Sequence, residues 1–475
     1  MERWRRWGAR PVSDGVNPAI GAAMVFTVRQ RLLLLAGFAL LLILRLPQAW
    51  LHGRFQGEEG TIFMAYAWHR PAAVALWRSF AGYLNLGANA STLLMVKLVR
   101  AGLLPLEVAP YFTMSVASVF QLMPAALILT GRGRWLANKW SVIACLLIVA
   151  MSPMTEEVFA NVLHIQFHLT LCVALILVLD IPHSRAARVV YWIPLVLAPL
   201  CGPGAIVILP IFALRSLLDW DAARLTQTFV LAAASALQML LFYTNSPVRG
   251  HLLDPATLAN LLFVRLAAMP YFSAHWANDL GRAVHAAYLT GGIRWWCYTA
   301  ASLTYFGCLV GVALRGGKDA AFWLIFAGLA LAAASFGAGM LSVDSSIWFN
   351  VGTAERYNFL PLTLVSMGLV AIVMRDAGRY RGICRILCLL TLVSGAASFF
   401  SPISNLRHGP SWRAEVAAWQ LNHDYKLAAW PKKWLVDLSD VDLPCSPPDA
   451  ANAATTDPNY CESNWLALVR RDSKK

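Results

Sequence analysis

Long apolar stretches recur along the chain, separated by short polar or basic segments. They lack the strict alternation of a half-buried strand and carry few charges, so they predict membrane-spanning helices. The stretches fall at 32–51, 110–130, 140–153, 161–180, 186–200, 203–218, 226–243, 296–314, 320–341, 358–374 and 386–402, about eleven spans. Between 186 and 218, the turn Cys201-Gly202-Pro203-Gly204 leaves two alternatives, a pair of short spans or one broken helix. The first run follows the basic segment MERWRRWGAR but has no small-residue cleavage site after it. It is also too long for a signal sequence, so it reads as a retained first span. The expected architecture is an all-α, polytopic transmembrane helix bundle over 1–403, followed by a small C-terminal tail or cap over 404–475. Interfacial helices are expected in the first outer loop.

Composition strengthens this picture. Of 475 residues, 58% are hydrophobic and 13% charged, against roughly 25% charged in a soluble domain. The 19 tryptophans and 13 tyrosines suit a chain with two membrane interfaces, where amphipathic rings settle at headgroup level. A net charge of +14 would suggest nucleic acid in a soluble protein, but its distribution along the chain gives a better account. Segments 1–31, 131–139, 183–188, 215–224, 315–319 and 375–385 hold 19 Lys/Arg in 72 residues. The alternate segments 52–107, 152–160, 201–204, 245–295 and 342–358 hold 10 in 137. Since Lys/Arg bias sets topology, the first group is expected in the cytoplasm together with the N-terminus. An odd number of spans then leaves the tail in the periplasm, with the protein in a bacterial inner membrane. The nine cysteines form no CxxC pair and no Cys/His cluster of zinc spacing. Cys445 and Cys461 fall in the tail, where a disulfide would persist; a bond and two free thiols are equal alternatives.

Polar residues in the outer segments supply the candidate chemistry. The first outer segment opens Phe55-Gln56-Gly57-Glu58-Glu59-Gly60-Thr61-Ile62-Phe63, two adjacent carboxylates between glycines that permit sharp turns. One could act as a general base, or both could cap the interfacial helix that follows. A second acidic pair, Glu156-Glu157, precedes span four, and Glu157, Asn161, His164 and His168 then share one face of a continued helix. Polar groups in a span usually face a cavity or the bundle interior, so this stripe is expected to line an outward cavity. Taken singly, each histidine is an ordinary packing residue. Arg45 lies near the outer end of span one, and Arg356-Tyr357 at the outer entrance to span ten. Guanidinium matches phosphate, so Arg45 and Arg356 read as phosphate contacts. Arg265, Arg282 and Arg294 in loop 245–295 read as snorkelling anchors.

This layout resembles the GT-C superfamily of integral-membrane glycosyltransferases, which use polyprenyl-phosphate-linked sugar donors. The likeness is strongest over residues 30–220. Phe55–Phe63 is similar to that superfamily's first-loop acidic motif, implying that Glu58, or else Glu59, is the catalytic base. Glu156 and Glu157 match its second-loop acid by position. Two glutamates depart from the commoner Asp-Asp, Asp-Glu or Glu-Asp form and leave the assignment between Glu58 and Glu59 open. The resemblance implies inverting transfer of a sugar from a polyprenyl-phosphate donor to a periplasmic glycan, lipid or protein acceptor. Arg356, Arg45 and His164 would offset the charge on the departing phosphate, with Glu156, Glu157, Asn161, His168 and Tyr357 also lining the substrate site. Some relatives bind a divalent ion through these acids, although no ligand spacing here demands one. Two other classes remain: a lipid-linked oligosaccharide polymerase or ligase, suggested by the arginines of loop 245–295, and a transporter or flippase. Against the latter, the acids cluster outside the membrane and no internal repeat is evident.

Overall fold

In the computed structural model the described residues are 25–245, 254–339, 345–375, 379–400 and 407–439. They are almost entirely helical, as they must be where no water can satisfy a backbone polar group. Six helices are long and apolar enough to cross a membrane: Leu106–Thr130, Ala222–Asn245, Ile293–Arg315, Ala320–Ala338, Arg356–Arg375 and Tyr380–Phe400. The chain is therefore a membrane-type helical bundle. The other five expected spans are also helices, Val28–Arg45, Lys139–Met151, Ile165–Val178, Arg185–Cys201 and Gly204–Asp219, but they are shorter or carry more charge. The 13 residues of Lys139–Met151 rise about 20 Å, less than the roughly 30 Å of a hydrocarbon core. Length and apolarity thus support six crossings, not a settled count of eleven.

Local sequence explains the boundaries. Val28–Arg45 stops where Pro47 opens a separate short helix, Pro47–His52, because proline cannot donate the hydrogen bond that would continue the first. The segment 186–218 forms two helices, broken at Gly202 and Pro203. Ile165–Val178 is mostly apolar and all of its residues are buried, Gln166, His168 and Thr170 included, the mark of a helix enclosed by others. It packs against Ala109–Thr130, Arg185–Cys201, Gly204–Asp219 and Arg356–Arg375.

The chain alternates between two ends of this bundle. At one end the basic connections meet: the Asp180 N–H donates to the Arg132 carbonyl at 3.0 Å. There Arg224 donates to the carbonyls of Ile176 and Leu179 at 2.8 and 2.9 Å, and Arg375 pairs with Asp319 at 3.0 Å. The first loop, the 152–164 loop and the segment before Arg356 gather at the other end.

Residues 407–439 pack on the first loop at that second end. Helix Trp412–Leu421 and the antiparallel pair Leu427–Ala428 with Leu435–Val436 share a core with Phe55, Met64 and Tyr66. The Trp430 N–H donates to the Phe55 carbonyl at 2.9 Å, and the Gly57 N–H to the Trp430 carbonyl at 2.8 Å. The tail is thus joined through its backbone to the acidic motif. Cys445 and Cys461 lie outside the described residues.

Candidate functional site

The first-loop motif is fixed from both sides. Gly57 has φ +24°, and the indole of Trp434 lies against it, so that a Cβ there would come within 3.3 Å of the ring. After Glu58 the chain enters a π-helical turn, Glu59–Met64; such turns are frequent at functional sites. Glu59 is fully buried. Its carboxylate accepts from the Gln56 N–H at 3.1 Å and the Val162 N–H at 3.3 Å. The first of these bonds is the reach-back of a helix-capping glutamate. Burial pushes Glu59 up to about 7, against the pull of these bonds and of Arg54. Arg54 is itself fully buried and donates to the Phe159 carbonyl at 2.8 Å. Burial lowers it to about 10.

Glu58 differs. It is only half-buried, and among the described residues no other residue hydrogen-bonds its carboxylate. Burial among protein atoms raises it, while Arg356 and Lys433 draw it back and Glu157 adds to the rise. The two glutamates therefore differ in their surroundings: Glu59 fastens the loop through two backbone N–H groups, and Glu58 lies in the field of Arg356, Glu157 and Lys433.

The second loop is not a continuation of helix. Pro153 follows the end of Lys139–Met151, and Met154 and Ala160 hold φ of +50° and +52°, a region costly for residues with a side chain. A 3-10 turn spans Glu156–Val158, and the next helix starts only at Ile165. The expected stripe of Glu157, Asn161, His164 and His168 on one helical face is thus corrected. Three of the four still meet, but through the folded loop. Glu157 pairs with the Arg356 guanidinium, accepts from the Arg356 backbone N–H at 3.0 Å and lies 3.9 Å from His164 Nε2. Asn161 donates to Gln56 Oε1 at 2.6 Å and accepts from the His164 N–H at 2.9 Å. His168 is apart from them, enclosed by the rings of Phe159 and Phe359 at 5.4 and 4.8 Å. It is a packing residue. Burial alone would push Glu157 up, but Arg356 and then His164 hold it below its ordinary value.

Glu156 points the other way. Its carboxylate pairs with Arg45 at 3.2 Å and with Arg407 of the tail at 3.4 Å. Arg45 is fully buried, donates to the carbonyls of Ala150 and Ser152, and sits 4.5 Å over the Phe159 ring. This cluster binds the first span, the second loop and the tail together, and it leaves Arg45 no exposed surface for a ligand.

The third component is the segment before Arg356. Arg265 is no snorkelling side chain: it is fully buried and caged by the carbonyls of Trp348, Asn350 and Thr353, at 2.7–3.1 Å, and by Asn358 Oδ1 at 3.1 Å. The cage fixes the approach to Arg356. Arg282 is exposed and pairs with Asp279 three residues before it, and Arg294 is also exposed. The Arg356 side chain is 30% exposed, and the Tyr357 hydroxyl donates to the Gly339 carbonyl at 2.9 Å.

Chemically, the site offers one under-committed carboxylate, Glu58, beside the ion pair Glu157–Arg356 and the imidazole of His164. Among the described residues no three His, Cys, Asp or Glu side chains gather as an ion cradle. Glu58 and Glu157 already have Arg356 as counter-charge. The expectations drawn from the chain missed Gln56 and Arg54, and they missed Arg407, Lys433 and Trp434 of the tail altogether. No known family model, curated protein or solved structure matches this chain.

Proposed function

We propose that this protein is an integral-membrane glycosyltransferase of the GT-C kind. It would transfer a sugar from a polyprenyl-phosphate donor to a hydroxyl-bearing acceptor at the periplasmic face of a bacterial inner membrane. The observation that carries this reading is the Glu58 carboxylate, half-buried, bonded to no other described residue and within the field of Arg356.

In the proposed reaction Glu58 takes the proton of the acceptor hydroxyl as its oxygen attacks the anomeric carbon. The bond from that carbon to the phosphate oxygen breaks on the opposite face, and its electron pair leaves with the lipid phosphate. Inversion follows. Arg356, held by Glu157, offsets the growing phosphate charge; His164, which burial lowers to about 4, lies beside Glu157 as a neutral imidazole and adds no positive charge. Fixed charges aimed at developing charge lower a barrier most where water is scarce. Arg45 has no part in this set, because its guanidinium is spent on Glu156 and on carbonyl groups. The polymerase or ligase alternative drew on the loop arginines, and the caging of Arg265 removes the one that is buried.

Deletion of the gene followed by mass spectrometry of the envelope glycans tests the proposal. One sugar or sugar-bearing product should disappear and return with the wild-type gene but not with Glu58→Gln. An unchanged glycan profile would overturn it.

A further inference from the structure

Three tryptophans of the tail meet the rest of the protein in different ways. Trp412 and Trp430 are each 1% exposed, and their indole N–H groups donate to the carbonyls of Leu106 and Pro410 at 2.9 and 2.7 Å. They are anchors, with the polar tip satisfied as burial requires. Trp434 is only half-buried, and its indole N–H bonds no other described residue. One part of its ring covers Gly57, the residue immediately before Glu58. Lys433 beside it is exposed, and its charge acts on Glu58.

The backbone holds this turn in place. Trp430 is bonded to both Phe55 and Gly57, the Ala429 N–H donates to the Trp434 carbonyl at 2.7 Å, and the Trp434 N–H donates to the Pro431 carbonyl at 3.1 Å. The turn that carries Trp434 is thus fixed through its backbone, and the indole lies against Gly57, the residue before the proposed base. A pyranose ring has one face rich in C–H groups and an edge of hydroxyls. An aromatic plane with polar groups at its rim is the usual complement to such a ligand.

We propose that the tail supplies the acceptor subsite, with Trp434 as the face on which a saccharide acceptor stacks so that one hydroxyl points to Glu58. This rests on the transferase reading above for the role of Glu58, but the binding itself can be tested separately. In this arrangement the donor is met by the bundle residues and the acceptor by the tail, so a chain without its tail would lack half of the site.

The test is saturation-transfer NMR on the full chain in lipid nanodiscs, with methyl β-D-glucoside, methyl β-D-galactoside and methyl α-D-mannoside as probes. Wild type should transfer saturation to the ring C–H protons of at least one probe. Trp434→Leu, which keeps apolar cover on Gly57 but loses the flat face, should weaken that signal by roughly fivefold. Trp434→Phe should retain most of it. Should Trp434→Leu fail to insert, Trp434→Met takes its place. No transfer to any probe in wild type, or equal transfer in wild type and the Leu or Met variant, overturns the proposal; a Trp434 that only anchors the tail to lipid headgroups would give that result. If the stacking signal depends on Trp434 while Glu58→Gln fully restores the envelope glycan, the transferase reading falls and the saccharide face stands. If Glu58→Gln abolishes the glycan and the Trp434 variants bind normally, the acceptor face falls alone.

Discussion

Arg356 and Glu157 are 199 residues apart in the chain, yet they are joined twice: the Arg356 guanidinium pairs with one carboxylate oxygen, and the Arg356 backbone N–H donates to the other at 3.0 Å. The second contact comes from the backbone and does not need the guanidinium, so the loop position is partly independent of the charge. That separation makes Arg356 a favourable site for substitution.

Arg356→Ala should reduce transfer by roughly 10²-fold, the usual cost of removing one preorganised charge-stabilising group. Arg356→Lys should fall between that variant and wild type, because an ammonium lacks the planar fork that can hold Glu157 and a phosphate oxygen together. Both should insert at wild-type levels. Normal turnover in both would reduce Arg356 to a structural partner of Glu157.

The two glutamates should dissociate in opposite directions. Glu58→Gln removes the proton acceptor and should cost about 10²–10⁴-fold in turnover, with little change in melting temperature. Glu59→Gln places an amide NH2 group against one of two backbone N–H donors, and an unsatisfied buried group costs about 1–3 kcal/mol. It should therefore lower the melting temperature in detergent while leaving turnover of the folded fraction near wild type. If the activity loss falls on Glu59 instead, the base has been assigned to the wrong residue.

How much of this the sequence disclosed depends on whether side chains or backbone make the contact. The helical segments, the acidic pair after span one and the Arg356-Tyr357 pair are visible as residue types at recognisable places. The different surroundings of Glu58 and Glu59 were not legible, because they turn on the N–H groups of Gln56 and Val162 that bond Glu59. The stripe through His168 fails for a related reason. Its spacing suits a helix, but Pro153 and the positive φ of Met154 and Ala160 fold that segment as a loop. Arg265 looks like a membrane anchor until its carbonyl cage is seen. The tail could not be linked to the first loop, since the joining contacts between Trp430, Phe55 and Gly57 are backbone hydrogen bonds that carry no residue signature.

Topology has a direct check. The basic connections meet at one end of the bundle and the proposed site at the other, and the positive-inside rule assigns the basic end to the cytoplasm. A reporter active only in the periplasm should be active when fused after Lys475 and silent when fused after Lys318. The opposite pattern would put the site in the cytoplasm and remove the periplasmic acceptor.

The dependence on pH follows from the same carboxylates. Burial is the largest influence on Glu58 and raises it above the ordinary carboxylate value of 4.5. The base works only when ionised, so transfer should increase with pH along a limb lying above that value. Lys433→Gln removes a cation that favours the ionised form, so the limb should move to still higher pH. The sign for stability is opposite to that of a salt-bridged acid. Between its unfolded value near 4.5 and its folded value of about 7, Glu59 holds more protons in the native chain than in the unfolded one. Native stability should therefore decline as pH rises through that window, and Glu59→Gln should flatten the decline. Rate profiles of wild type and Lys433→Gln, with melting temperatures of wild type and Glu59→Gln at the same pH values, separate the two effects. A limb that stays in place without Lys433 would mean that this lysine does not act on the base, and a rate that falls as pH rises through the limb would rule out a carboxylate in that role.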